Sequence, residues 1–198
     1  MPKRPSTENT KQQNAKKPKP SGHWAMGLID KMKDPEYVVS KDDLVTVIKD
    51  CYPKAKFHYL VLPNADISNL KAVKQSDIDL LKHMDKVAND LINEDKHKKS
   101  KFKIGYHAEP SMIRLHLHVI SDDMDSVCLK NKKHWNSFTT NFFVKSKDII
   151  KNLEETGKIV LPSKEECKSL INTPLKCHKC SFLPKNIPDL KKHILTHK

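Results

Sequence analysis

Short apolar segments separated by polar turns and prolines predict most of the secondary structure of this 198-residue chain. Between Ser76 and Lys96, apolar residues recur at helical spacing, which predicts one long helix. Four segments carry the aliphatic, β-branched or aromatic side chains that favour strands: 44–49, 57–62, 101–107 and 114–121. Strands with a helix inserted among them indicate an α+β domain.

Two shorter helices are predicted further along the chain. The first spans residues 146–155 and ends at Gly157, and the second spans residues 163–170. Ser163 and Glu166 have the spacing of a capping box at the start of the second helix. We expect residues 149–173 to form a helical connection that packs on the domain before it.

The last of the four strands carries two histidines on one face. Side chains alternate between the two faces of a strand. Arg114, His116 and His118 therefore share one face, and the other is aliphatic: Leu115, Leu117 and Val119. An imidazole has an unperturbed pKa near ~6.5, so two of them on a strand backed by a core form a reactive platform at neutral pH.

Three interpretations of His116 and His118 follow from the residues alone. In the first, the histidines simply face solvent. In the second, they form half of a metal site that His58 or His107 completes, since His-x-His on a strand is a common pair of ligands. In the third, one imidazole attacks phosphorus while its neighbour stabilises the phosphoryl oxygens.

The charge of the chain favours a polyanionic partner. Lys and Arg number 37 against 24 Asp and Glu, which gives a net charge of +13 and a pI near 9.4. No stretch approaches the ~20 apolar residues that span a bilayer, so no membrane partner is expected. Cys51, Cys128 and Cys167 are scattered rather than arranged as a disulfide framework, which fits a reducing compartment.

The two ends of the chain differ in composition from the rest. Residues 1–21 contain one acid, Glu8, among many lysines and prolines, and we expect this basic leader to be disordered. The segment 16–19 (Lys-Lys-Pro-Lys) is typical of a nuclear-import or nucleic-acid-binding patch, which predicts a nuclear protein.

Residues 174–198 are predicted to form a separate zinc finger. The spacing Cys-x2-Cys-x12-His-x3-His is that of a tetrahedral zinc site, with the ligands Cys177, Cys180, His193 and His197. A tail this small cannot fold stably without metal. One structural zinc ion per chain is therefore expected.

The pattern around His116 resembles the histidine-triad nucleotide hydrolases and transferases. Wider segments resemble the aprataxin branch of that family, over about residues 22–198, and so does the Cys2His2 tail. These segments begin at residues 22 (GHW), 47 (VIKD), 52 (YPKA), 58 (HYLVLP), 70 (LKAV), 105 (GYHA), 110 (PSM) and 129 (LKNKKHWNSF). The resemblance implies a histidine-triad fold with an antiparallel sheet and helices, a catalytic domain over residues 22–148, and the finger.

The resemblance also implies an activity. Aprataxins remove AMP from 5′-adenylated DNA or RNA–DNA ends left by abortive ligation, through an adenylated histidine and without a catalytic metal. The implied substrate is nicked or double-stranded DNA with an adenylated 5′ end, AMP is a product, and the chain is expected to act as a monomer on DNA.

Position by position, the resemblance makes His116 the nucleophile and His118 its phosphate-contacting neighbour. His107, His58 and the cation Lys54 match groups lining the same phosphate site. Further matches are Ser111 and Met112 beside the scissile bond, Asp50 near the ribose hydroxyls, and Trp24, which would stack on a terminal base pair.

Arg114 departs from the family pattern, which has a third histidine there. Arginine on the histidine face keeps a positive charge but cannot exchange protons at neutral pH. We expect activity to survive, since the other four histidines remain.

The run from Leu129 to Phe138 predicts a surface that follows a nucleic-acid backbone. Its aromatics, Trp135 and Phe138, are expected to pack inward. Its cations are expected to face outward toward the substrate: Lys130, Lys132, Lys133 and His134. Two other functions stay open, a general nucleotide phosphoramidase and a nucleic-acid-binding protein with a weakened catalytic site.

Overall fold

The computed structural model describes residues 27–197, so the basic leader and Trp24 lie outside the described residues. Its strands are β1 (Val38–Lys41), β2 (Val45–Lys49), β3 (His58–Pro63), β4 (Phe102–His107), β5 (Leu117–Ser121) and β6 (Phe143–Lys145). Its α-helices are α1 (Gly27–Lys31), α2 (Ile78–Ile92), α3 (Lys132–Thr139), α4 (Ser146–Thr156), α5 (Lys164–Asn172) and α6 (Ile187–Ile194). Of the helices within 27–197, none has the length and apolar character needed to span a bilayer.

The six strands form one sheet in the order β1-β2-β3-β5-β4-β6, with every neighbouring pair antiparallel. In the centre, His58 of β3 lies opposite Ile120 of β5, and Leu60 lies opposite His118. The predicted α+β class, antiparallel sheet and helices are confirmed.

One face of the sheet forms the main core with α2 and α4. The alternation predicted for β5 holds here, because Leu117 and Val119 are fully buried on this face. Helix α2 contributes Leu81 and Met84, and α4 contributes Ile149, with the other helical contacts made by Ala88, Leu91 and Leu153. Burial of this apolar surface is the main force that holds the two helices on the sheet.

Two hydrophobic clusters cover parts of the opposite face of the sheet, and the area between them is open. Leu28 of α1 packs on Ile48, Leu60 and Leu62, which covers the β2–β3 side. The second cluster joins the end of β5 to α3 and the finger helix α6: Ile120, Met124, Leu129, Trp135, Phe138, Leu190 and Ile194. His58 and His118 point to this same face, between the two clusters.

The finger packs directly on the sheet and on α3. Leu190 of α6 is fully buried in the core it shares with Trp135 and Ile120. The indole Nε1 of Trp135 donates to the carbonyl of Lys176 at 3.0 Å, and Nε2 of His178 lies 2.7 Å from the carbonyl oxygen of Asp122. The finger is therefore docked through both apolar and polar contacts.

The predicted helices near the C-terminal half form as expected. Helix α4 ends at Gly157, which has a left-handed φ of 68°, and Ser163 caps α5 in a capping box with Glu166. Helix α2 is shorter than the 76–96 segment, because 3-10 turns flank it. The pattern missed α1, β1, β6 and α3, all of which are short.

The fourth strand was predicted to begin at Arg114, and this start is wrong. Strand β5 begins at Leu117, and Arg114 has a φ of 104°, a conformation outside the strand region. The backbone N–H groups of Arg114 and Leu115 donate to the carbonyls of Ser68 and Ile67 at 2.9 and 2.7 Å. The chain is held by that loop before it enters the sheet, so the strand alternation does not extend back to Arg114.

Candidate active site

Four histidines meet on the open part of the sheet face. His118 lies on β5, His58 begins β3, His107 ends β4, and His116 immediately precedes β5. From the ring centre of His118, the other ring centres lie at 5.2 Å (His58), 4.4 Å (His107) and 4.9 Å (His116). The sequence predicted two of these from their alternation and two from the family resemblance, and the structure brings all four together.

The proton of His116 is placed by the backbone before it. Nδ1 of His116 lies 2.7 Å from the carbonyl oxygen of Arg114. A carbonyl oxygen can only accept, so Nδ1 carries the proton and Nε2 of the neutral ring carries the lone pair. Nε2 of His116 is therefore the ring nitrogen that is able to act as a nucleophile.

The proton of His118 is placed by a second hydrogen-bonded series. The backbone N–H of Lys54 donates to Nδ1 of His58 at 3.2 Å, so the proton of neutral His58 is on Nε2. Nε2 of His58 lies 3.0 Å from Nδ1 of His118 and donates to it. The proton of neutral His118 is then on Nε2, a buried atom with no hydrogen-bond partner among the described residues. This N–H is available to an acceptor in the site.

Burial keeps these imidazoles neutral. It lowers the pKa of His58 from 6.5 to about 4, opposed by the charge of Asp50. Burial also lowers the pKa of His107 and His118 well below 6.5, and neighbouring histidines lower both further. For His116, burial lowers the pKa while the hydrogen bond to the Arg114 carbonyl acts against it. The site thus holds four neutral imidazoles at pH 7.

The four histidines line a cleft of about 560 Å³, a size suited to a small ligand or a terminal nucleotide. Seven other residues predicted for substrate binding line the same cleft: Asp50, Lys54, Ser111, Met112, Lys130, Lys133 and His134. Lys54 is partly buried, and burial lowers its pKa against the opposing charge of Asp50. Burial likewise lowers the pKa of His134.

Arg114 does not present its charge on the histidine face as the sequence predicted. Its guanidinium donates to the carbonyl oxygens of Pro63 at 3.2 Å and Asn64 at 2.8 Å. It also pairs with the carboxylate of Asp66 at 2.7 Å. The side chain therefore anchors the loop after β3, and its contribution to the site is the carbonyl that binds His116.

Lys132 also lies differently from its neighbours in the predicted run. Its ammonium donates to the carbonyl of Asn172 at 2.8 Å, which ties α3 to the end of α5. Trp24, the predicted stacking residue, lies outside the described residues. The expected inward packing of Trp135 and Phe138 is confirmed, since they are 1% and 4% exposed.

Sequence reasoning missed several residues of the cleft. Phe138 was assigned to the core, yet its ring lies 5.3 Å from those of His58 and His118 and 4.6 Å from that of His107. Tyr52 and Cys128 also line the cleft, and Tyr52 is 66% exposed at its edge. Their position in the sequence could have indicated these residues. Tyr52 and Phe138 lie within the segments that resemble the family, at residues 52–55 and 129–138, and Cys128 directly precedes the second.

Gly105 permits the close packing beneath the histidines. It lies on β4 opposite His118 of β5 and Lys145 of β6. A Cβ atom there would lie 2.4 Å from the carbonyl oxygen of Val144 and 2.7 Å from the ring of Phe143. Phe143 packs on the rings of His107 and His118, so a side chain at residue 105 would displace that support.

The finger residues fit a zinc ion. Tetrahedral zinc with bonds of ~2.0–2.3 Å separates neighbouring ligand atoms by roughly 3.3–3.7 Å. The Sγ to Nε2 distances are 3.4 Å for Cys177–His197 and 3.1 Å for Cys180–His193, and the two Nε2 atoms are 3.1 Å apart. All four donor atoms lie within 4.8 Å of one another. These residues would hold one structural zinc ion.

The histidine strand fits a metal less well. Asp50, His58 and His118 also place potential ligand atoms within 4.8 Å of one another. However, Nε2 of His58 and Nδ1 of His118 face each other in a 3.0 Å hydrogen bond, and Nδ1 of His58 accepts from Lys54. The ligand atoms are thus occupied by a hydrogen-bonded series, which favours acid–base and nucleophilic chemistry over chelation.

Comparison with known families divides the chain within α3. Residues 23–134 match the family described as "Scavenger mRNA decapping enzyme C-term binding". Residues 139–198 match the C2HE / C2H2 / C2HC zinc-binding finger. The finger match agrees with the ligand set derived from the geometry.

Individual relatives extend over nearly the whole chain. Aprataxin of Danio rerio is 54% identical over 89% of this chain and 54% of its own length. An aprataxin-like protein of Saccharomyces cerevisiae is 32% identical over 86% of this chain and 94% of its own length. The crystal structure of the aprataxin ortholog Hnt3 in complex with DNA superposes with a TM-score of 0.62 at 26% identity, covering 88% of this chain and 94% of that one.

This chain spans about half the length of the first of these relatives. The shared part accounts for nearly all of the yeast relative. By fold, by site and by sequence identity, the chain belongs to the aprataxin family.

Proposed function

We propose that this protein removes AMP from 5′-adenylated ends of DNA or of RNA–DNA junctions, through an adenylyl-histidine intermediate. The observation that carries the proposal is the placement of two protons. Nε2 of His116 has a lone pair because Nδ1 is bound to the Arg114 carbonyl, and Nε2 of His118 is a buried donor without a partner among the described residues. A nucleophile beside an N–H donor is the arrangement that phosphoryl transfer requires.

The first step joins His116 to the adenylate. The lone pair of Nε2 attacks the α-phosphorus, a P–N bond forms, and the P–O bond to the 5′-phosphate of the nucleic acid breaks. The 5′-phosphate leaves with the bonding electron pair. This is a good leaving group, so the step makes little demand on a general acid.

The second step releases AMP. Water attacks the same phosphorus, a P–O bond forms, the P–N bond breaks, and the electron pair returns to Nε2 of His116. The proton lost by water goes to solvent. Neutral His116 is thereby regenerated, and neither step needs a metal.

Charge on the phosphoryl oxygens is balanced by donors in the cleft. His118 supplies the N–H described above, while Lys54 and His107 line the same space. Positioning and electrostatic stabilisation of this kind account for most catalysis at phosphorus. Asp50, Ser111 and Met112 line the same cleft, and we propose that they bind the rest of the nucleotide.

Nucleic acid rather than a small nucleotide is the substrate that the charges favour. The net charge is +13, and the exposed Lys130 and Lys133 border the cleft. The related Hnt3 has been crystallised with DNA. We propose that a nicked or double-stranded end binds along this border to one copy of the chain, with Trp24 stacking on the terminal base pair.

Two alternative functions make different predictions. A general nucleotide phosphoramidase would turn over small adenosine phosphoramidates at least as well as an adenylated duplex. A nucleic-acid-binding protein with a weakened site would bind the duplex but form no adenylate on His116.

The deciding experiment measures AMP release from a nicked duplex with an adenylated 5′ end. We expect wild-type turnover, none in His116→Ala, and a labelled adenylate trapped on His116 during wild-type turnover. His83→Ala is the matched control, since His83 lies on α2 on the other side of the sheet. Normal turnover by His116→Ala would eliminate the proposed nucleophile.

We also propose that the protein acts in the nucleus, on the basis of the basic segment 16–19. A fluorescent fusion is expected to concentrate in nuclei and to lose that concentration when Lys16, Lys17 and Lys19 are replaced by alanine. An unchanged distribution of the triple variant would rule out this segment as the signal.

A further inference from the structure

A series of hydrogen bonds connects the finger helix to the loop beside the active site. The ammonium of Lys191 on α6 donates to the carbonyl oxygens of Ser126 at 2.7 Å and Leu129 at 3.4 Å. These two residues bracket Cys128, which lines the catalytic cleft. The finger thereby fixes both ends of a short loop in the wall of the cleft.

The hydroxyl of Ser126 extends this series to the histidines. Its Oγ accepts from the N–H of Cys128 at 3.1 Å and donates to the carbonyl oxygen of Pro53 at 2.5 Å. Ser126 is distant in sequence from Pro53, so this bond ties two separate loops together. The carbonyl of Pro53 and the N–H of Lys54 belong to the same peptide unit.

A trans peptide unit is planar, and its C=O and N–H point in opposite directions. Ser126 therefore holds one end of the Pro53–Lys54 peptide, and the other end donates to Nδ1 of His58 at 3.2 Å. If that plane rotates, the N–H of Lys54 leaves Nδ1 of His58. Donating at one end and accepting at the other also polarises the peptide, which strengthens both bonds.

We propose that Ser126 is a positioning residue for the reaction: through the Pro53–Lys54 peptide it fixes the tautomer of His58, and so the donor proton of His118. This proposal rests on the proposed function. His58 with its proton on Nδ1 would present a lone pair to Nδ1 of His118. His118 would then turn a lone pair, rather than an N–H, toward the phosphoryl oxygens.

The same series gives the finger a role in the chemical step. Lys191 holds the carbonyl groups on either side of Cys128, so release of α6 frees Ser126 as well. Loss of the finger is expected to reduce turnover of a small adenylate, in addition to any effect on binding to the duplex.

The test compares Ser126→Ala with Ser126→Thr and with the control Ser169→Ala, which changes an exposed serine on α5. Substrates are adenosine 5′-phosphoramidate and the nicked adenylated duplex. A single hydrogen bond contributes ~0.5–1.5 kcal/mol, so we expect Ser126→Ala to lower kcat roughly three- to tenfold on both substrates. KM for the duplex should stay the same, and Ser126→Thr should restore kcat.

Nitrogen-15 NMR of the imidazoles separates positioning from a loss of folding. The wild-type protein should show unprotonated Nδ1 and protonated Nε2 in His58, and Ser126→Ala should show a mixture of tautomers at unchanged zinc content. Lys191→Met should produce a smaller shift in the same direction, whereas Lys192→Met, at an exposed neighbouring lysine, should produce none.

Two results would overturn the inference: wild-type kcat in Ser126→Ala on the small adenylate, or reduced kcat with an unchanged His58 tautomer. If the wild-type protein released AMP from neither substrate, the proposed function itself would fail. The two failures are therefore distinguishable.

Discussion

The carbonyl oxygen of Arg114 lies 2.7 Å from Nδ1 of His116, while the guanidinium of Arg114 is directed away, to Asp66 and the carbonyls of Pro63 and Asn64. Arg114 thus orients the ring of His116 with its backbone. Any amino acid supplies that carbonyl, provided that the chain keeps its path.

Arg114→Ala is therefore expected to retain kcat within about threefold on the small adenylate, since no proton passes through this side chain. Stability should fall by about 1–3 kcal/mol, because the carbonyls of Pro63 and Asn64 lose a largely buried charged donor. Steady-state turnover and denaturant unfolding measure the two effects. Complete loss of activity in a folded Arg114→Ala protein would mean that the side chain takes part in catalysis.

Lys130→Ala and Lys133→Ala are expected to weaken binding of the duplex without changing turnover of a small adenylate. Both lysines lie at the border of the cleft. Removing one lysine–phosphate pair should reduce the slope of log K against log salt by about 0.9. Fluorescence anisotropy over a range of salt concentrations gives these slopes. Lys86→Ala serves as the control, because Lys86 pairs with Asp90 on α2, on the opposite face of the sheet; an equal effect there would indicate only a general charge effect.

Leu190→Ala is expected to destabilise the catalytic domain together with the finger. Leu190 is fully buried in the core shared with Trp135 and Phe138, and such truncations cost about 2–5 kcal/mol. Thermal melting should show one transition at a lower temperature, with lower turnover of the small adenylate. Leu183→Ala, at a finger residue that is 70% exposed, should leave both unchanged. Two separate transitions in the Leu190→Ala protein would show that the finger and the sheet unfold independently.

Stability should fall with pH below about 6.5. The buried histidines have a lowered pKa in the folded protein, about 4 for His58, and ordinary values near ~6.5 when unfolded. The unfolded chain therefore binds more protons, and the stabilisation that is complete above pH 6.5 is lost as the pH falls toward the folded values. His107→Leu removes one such group and should reduce the slope of unfolding free energy between pH 7.5 and 5.5 by up to ~1.4 kcal/mol per pH unit. Urea titrations measure the slopes, and equal slopes for wild type and variant would contradict this expectation. Release of zinc at low pH affects both proteins alike, so it cancels in the comparison.

The sequence predicted those features that depend on local pattern. The capping box at Ser163, the end of α4 at Gly157 and the aliphatic face of β5 all follow from residue spacing, because each is decided within a few residues. The zinc ligands were predictable for the same reason, since the sequence spacing of Cys177, Cys180, His193 and His197 is that of a known zinc site.

Features that depend on distant partners were not predictable. Arg114 leaves the strand because Ser68 and Pro63 offer it carbonyl acceptors, and nothing near Arg114 in the sequence indicates this. Leu190 fits the core of an isolated finger as well as a core shared with Trp135, so spacing could not distinguish the two. The roles of Lys132 and Phe138 were likewise decided by the positions of α5 and the histidines.

Gly105 shows that the space beneath the histidines has no room for even a small side chain. A single methyl group there would act as a wedge, because it would meet the carbonyl of Val144 and the ring of Phe143 at less than contact distance. The ring of Phe143 packs on the imidazoles of His107 and His118. Gly105 has no side chain and carries no charge. Its small size is nevertheless what allows Phe143 and the histidine rings to pack this closely.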